Sequence, residues 1–84
     1  MISEHTKSVV ERAKAIYFER LQTTLEAEHP DRYVAVEPES GDYFLGDTID
    51  EAVKSARTKY PTRLSHILRI GHRAALRLEQ IHLK

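Results

Sequence analysis

The side chains able to do chemistry in this chain fall into three groups. Five histidines stand at positions 5, 29, 66, 72 and 82. No two of them share the four-residue helical spacing, with a glutamate between, that a zinc hydrolase uses. His66 falls on the apolar alternation of a strand-like run, where a lone histidine is more often a core or interfacial residue than a ligand. Six acids, Glu37, Glu39, Asp42, Asp47, Asp50 and Glu51, lie in residues 33–53 without a single lysine or arginine. Carboxylates of this kind are hard oxygen ligands for a divalent cation. Their spacing lacks the one-on, one-off pattern of a calcium loop, and they read more simply as turn and helix-cap chemistry. An acidic-dyad hydrolase needs two carboxylates in a dry cleft, and a chain of 84 residues has little room for one.

The third group is basic. Residues 54–84 hold eight lysines and arginines against one acid, Glu79, so a segment of charge −6 sits beside one of +7 in a chain of zero net charge. Arg63, Arg69, Arg73 and Arg77 could follow a phosphate backbone. No aromatic residue follows Tyr60, so the stacking platforms of single-strand binders are missing there. Three readings stay open: a nucleic-acid surface, a solvated or internally paired face, and head-to-tail or antiparallel self-association of acidic patch against basic patch. Ser40 and Ser65 have no visible histidine–carboxylate relay. Three glycines make no phosphate loop. The residues imply no cofactor and no metal.

The elements that position these groups follow from periodicity. Val9, Ala13, Ile16, Tyr17, Leu21 and Leu25 recur at steps of three and four, predicting one long helix from about Ser3 to His29, stopped by Pro30. Ser3, Thr6 and Ser8 each compete as its cap. Tyr33-Val34-Ala35-Val36 reads as a strand, Pro38-Glu39-Ser40-Gly41 as a turn, and Tyr43-Phe44-Leu45 as the return strand closed by Gly46. Thr48 with Glu51 is a capping box for a helix that ends before Pro61. Arg63 to Ile70 alternates as a third strand, broken by Gly71. Residues 72–84 form a tail readable as helix or strand. Val34, Val36 and Phe44 are expected under the short helix, and Tyr33, Ala35, Tyr43 and Leu45 under the long one.

The expected fold is thus α+β in the order α-β-β-α-β. It forms a single domain over residues 1–84: a long helix (1–29), a ββαβ core (32–71) and the tail (72–84). There is no cysteine, so disulfides and thiolate metal sites are excluded. No apolar run reaches the length of a signal peptide or a membrane span, and the expected location is the cytoplasm.

The chain over residues 32–71, which ends in Arg69-Ile70-Gly71, resembles HicB-like antitoxins in the stretch Tyr33-Val34-Ala35-Val36-Glu37-Pro38-Glu39-Ser40-Gly41 followed by Gly46-Asp47-Thr48-Ile49-Asp50-Glu51-Ala52. It also resembles a family of short uncharacterised bacterial α+β proteins with the same order of elements, and it is there that the following strand similarly ends in Arg-Ile-Gly. The antitoxin resemblance implies a non-catalytic protein that binds a protein partner and self-associates. The long first helix departs from that family, as does the lack of a clear helix-turn-helix or ribbon-helix-helix after the core. For the uncharacterised family the resemblance implies a fold and no activity.

Tyrosine combines apolar area with a hydroxyl and is favoured at interfaces. Tyr17 beside Phe18 widens the apolar stripe of the long helix. The expected contact surface is Ile16, Tyr17, Phe18 and Leu21 with a sheet face carrying Tyr33 and Tyr43. The reading is a non-enzymatic protein-interaction module, an antitoxin-like or accessory subunit and a homodimer. The alternative is a small nucleic-acid-binding regulator using Arg63, Arg69, Arg73 and Arg77.

Overall fold

A computed structural model describes residues 3–71. The chain folds as α1 (Glu4–Ile16), a π-helical turn (Tyr17–Leu21), α2 (Gln22–Glu28), β1 (Tyr33–Glu37), β2 (Asp42–Gly46), α3 (Ile49–Lys59) and β3 (His66–Arg69). This is the α+β order expected from the sequence. The alternatives for residues 72–84 concern a segment outside the described residues.

The first three elements make one continuous helix. Ser3 caps it: its Oγ accepts the Thr6 N–H at 3.1 Å. Its buried row is Val9, Ala13, Tyr17 and Leu25, with Ile16 and Leu21 half-buried beside it. From Ala13 onward the row advances by fours, and each such step overshoots an α-helical turn by about 40°. Left alone, that drift would carry Leu25 off the sheet. The π turn corrects it: the Gln22 N–H bonds the Tyr17 carbonyl five residues back, which absorbs one residue. The helix ends at His29, before Pro30, and Asp31 at φ 69° turns the chain into β1.

The sheet is antiparallel with order β2-β1-β3. Residues opposite one another in an antiparallel pair share a face. The register sets Val34 against Leu45 and Leu68, Val36 against Tyr43 and His66, and Ala35 against Phe44 and Ile67. The face assignment expected from sequence holds for Tyr43, Phe44 and Leu45 of β2 and is corrected for Tyr33, Val34, Ala35 and Val36 of β1. Val34 and Val36 lie under the long helix with Ala13, Tyr17, Leu25, Leu68 and Ile70. Ala35, with Tyr33, Phe44 and Ile67, packs on Ala52 and Ala56 of α3. The alternation along each strand was right, but the phase between β1 and β2 was not. That phase is set by the four residues of the turn, 38–41, where Gly41 takes φ 80°.

The coverage is staggered. The long helix lies across β1 and β3, whereas α3 lies mainly across β2 and β1. The third strand begins at His66 rather than Arg63, because residues 60–63 form a turn, with the Arg63 N–H on the Tyr60 carbonyl at 3.2 Å, and Leu64 is left exposed. Past its end, the Ile70 N–H bonds the Arg32 carbonyl and the Asp31 N–H bonds the Ile70 carbonyl, at 2.8 and 3.2 Å.

The capping box at α3 forms with one difference. Thr48 Oγ1 accepts the Glu51 N–H at 3.1 Å, and Glu51 Oε1 reaches past Thr48 to the Asp47 N–H at 2.8 Å. A Thr48→Ala variant is expected to lose about 1 kcal/mol. Chemical denaturation checks this as a lower midpoint at unchanged slope.

Candidate functional site

The densest polar cluster lies at the turn end of the hairpin. Glu37, the last residue of β1, is 1% exposed. Its carboxylate accepts the backbone N–H groups of Glu39 and Ser40, both at 2.9 Å, and Arg63 Nη1 at 3.2 Å. Its carbonyl accepts the Gly41 N–H at 2.9 Å. One side chain thus supplies acceptors for the tight turn that follows it. Burial works against the charged form. Hydrogen bonds from the Ser40 side chain, the Glu39 and Ser40 backbone and Arg63 outweigh it, so the carboxyl is held below the usual glutamate range.

Arg63 is oriented by a second contact, its guanidinium lying 4.8 Å from the centre of the Tyr60 ring. Its Nε also approaches Glu39 Oε1 at 3.8 Å. The Tyr60 hydroxyl donates to Asp42 at the start of β2, and Lys59 Nζ stands 3.2 Å from the same carboxylate. The Tyr60 hydrogen bond and then Lys59 lower the pKa of Asp42, and Asp42 in turn raises that of Lys59. The Tyr60 ring packs edge-on to Phe44, 6.1 Å between centres. Three acids of the acidic segment thus hold the hairpin to Lys59 at the end of α3 and to Arg63 in the loop that follows it. At the other end of the sheet Arg32 pairs with Asp47 at 3.0 Å.

These groups pair with one another inside the chain. Among the described residues no three histidines or carboxylates are placed to hold a metal ion. His66 is buried under the long helix, opposite Val36. His72 and His82 lie outside the described residues.

The residues expected at a protein interface are divided by the structure. Tyr17 is 3% exposed and belongs to the core. Burial and the charge of Glu26 raise the pKa of its hydroxyl, against an opposing hydrogen bond from the Gly71 backbone. Ile16 and Leu21 are half-buried against the same core. Phe18 is exposed, its ring edge-on to Tyr17 at 5.1 Å. Tyr33 and Tyr43 sit on opposite faces, since Tyr33 shares the Ala35 face and Tyr43 stands opposite Val36. A single surface containing both tyrosines is therefore corrected: Tyr43 is on the long-helix side, and Tyr33 packs with α3. Helical spacing marks the apolar row but not which of its members the sheet covers, and strand alternation leaves the face open until the register is known.

The basic candidates are also separated. Arg63 is engaged with Glu37 and Glu39 at the turn end of the hairpin. Arg69 lies at the opposite end of β1, 5.4 Å from the Tyr33 ring centre, with its Nε 3.4 Å from the Asp31 carbonyl. Arg73 and Arg77 fall outside the described residues. Sequence reasoning missed Glu37 as a structural centre. The signal available was a glutamate followed by proline, glutamate, serine and glycine, where a carboxylate ending a strand can bond the amides of the turn.

No family model, curated protein or solved structure matches this chain. Among the described residues no helix is long and apolar enough to cross a membrane.

Proposed function

We propose that this chain is a non-enzymatic protein-interaction module, an antitoxin-like or accessory subunit that binds a protein partner and associates with itself. The observation that carries the reading is a division of labour among the side chains. Glu37, Asp42, Lys59 and Arg63, whose types could do chemistry, are spent on holding the hairpin to α3 and to the loop after it. Phe18, Tyr43, Ile49 and Leu64 are large apolar groups left at the surface. Exposed apolar area is recognised by protein, whereas charges already neutralised by neighbours offer little to substrate or phosphate.

The test is a tagged pull-down from the native host, with co-eluting protein and nucleic acid both quantified. A stoichiometric protein partner, retained when salt is raised, is the expected result. Recovery of nucleic acid that is lost steeply with salt would overturn the reading in favour of a regulator using the basic third of the chain.

A further inference from the structure

Among the described residues β2 pairs with β1 alone, so its outer edge presents unpaired main-chain groups. Natural sheets protect such edges with lysine, proline, bulges or inward charges. The other edge strand among the described residues, β3, is four residues long and carries Arg69 and His66. In contrast β2 reads Asp-Tyr-Phe-Leu-Gly, with three large apolar residues in succession and one charge, at its first position. That charge already belongs to Lys59 and Tyr60.

The geometry points to a second copy of this chain as the occupant of that edge, with β2 pairing antiparallel to β2 of the copy about a two-fold axis at Phe44. This rests on the self-association in the reading above and moves the contact from the long helix to the strand edge. The strand is complementary to itself in that register. Phe44 meets its counterpart, and Asp42 falls opposite Gly46 rather than another acid. Tyr43, 41% exposed, falls opposite the half-buried Leu45 on the long-helix side. The staggered coverage leaves this strip open, because the long helix lies over β1 and β3.

Helix α3 supplies the second argument. It runs antiparallel to β2: its start follows Gly46 and its last residue, Lys59, reaches Asp42. Glu51, Ser55 and Lys59 are spaced by four and form one row. Both ends of the row touch the ends of β2, since Glu51 bonds the Asp47 N–H and Lys59 pairs with Asp42. All three are exposed. The two-fold axis would set this row beside the same row of the copy, running the other way. Glu51 then faces Lys59 of the copy at each end, as a second carboxylate for an ammonium that Asp42 holds from one side and that is 61% exposed, and the small Ser55 meets its counterpart in the middle. Opposite charges pair twice and no like charges meet, so the charge pattern selects a second copy rather than an arbitrary strand.

The experiment measures the dimer dissociation constant by sedimentation equilibrium for the full chain and for three variants. Circular dichroism checks that each is folded. Ser55→Glu places two carboxylates at the axis, while improving helix propensity at an exposed position. Tyr43→Lys installs an edge charge. Phe18→Asp probes the long helix. The expected result is a dimeric parent, with dissociation constants raised at least about tenfold by Ser55→Glu and by Tyr43→Lys, and little changed by Phe18→Asp. A dimer broken by Phe18→Asp alone would overturn the edge pairing and leave the interaction reading standing. A parent monomeric up to millimolar concentration would overturn the edge pairing too, and the wider reading would then be judged on the heterologous partner in the pull-down.

Discussion

Replacing Glu37 by alanine is expected to cost about 2–4 kcal/mol of folding stability. For a domain of this size that is a fall in Tm of about 10–25 °C. It is a large part of the roughly 4–13 kcal/mol that 84 residues ordinarily hold in total. The argument is one of orphaned partners. Glu37 is 1% exposed, and its removal leaves the Glu39 and Ser40 amides and the Arg63 guanidinium without their acceptor. Arg63→Ala should cost much less, about 1 kcal/mol, because Arg63 is 39% exposed and its loss leaves the carboxylate two backbone donors. Urea denaturation of the two variants checks this. Equal losses would mean that the ion pair, not the turn amides, is what the carboxylate contributes.

The same residue sets a pH dependence. The folded-state pKa of Glu37 is depressed, so the native chain binds this proton less readily than the unfolded chain. Its contribution is fully present above the unfolded glutamate value of about 4.3 and is lost as pH falls through the lower folded value. Glu37→Gln removes that contribution to the slope. Asp42, also depressed, keeps its own. The parent should therefore lose stability faster than Glu37→Gln below about pH 4.3. Parallel acid limbs in the two proteins would remove Glu37 from the account.

The order of elements was legible because each carries a local cause. Ser3 and Thr48 cap, Pro30 and Pro61 stop helices, and Gly41 permits the turn. What was not legible depends on two elements at once. Whether Val34 or Ala35 faces the long helix turns on the register against β2, and a slip of one residue exchanges the faces. The π turn at Tyr17–Leu21 is visible only once the sheet fixes which residues must stay on one line. At the candidate site, the charge segregation between residues 33–53 and 54–84 was plain in sequence. Its resolution into Glu37–Arg63 and Asp42–Lys59 was not, because those partners are 26 and 17 positions apart. Tyr17 beside Phe18 looked like one aromatic surface. Adjacent residues on a helix point about 100° apart, so one became core and the other surface.

Gly46→Val should be the second severe substitution, costing about 3 kcal/mol. The backbone of Gly46 is not in the left-handed region, so the cause is space rather than φ. A Cβ there would lie 2.5 Å from the Ala52 nitrogen, 2.8 Å from Glu51 Cβ and 2.9 Å from the Thr48 carbonyl oxygen. Two of those neighbours are main chain in the first turn of α3 and its cap, which cannot yield without loosening the Thr48–Glu51 box. The damage would spread from the strand end to the helix start, and so to the seating of α3 on Ala35 and Phe44. Gly41→Ala is the informative contrast. Gly41 has φ 80° but nothing within 4 Å of an added Cβ, so its cost is the left-handed penalty alone, about 1–2 kcal/mol. Thermal denaturation of both variants separates the two causes. If Gly46→Val were no worse than Gly41→Ala, the join between β2 and α3 would have slack that these distances deny it.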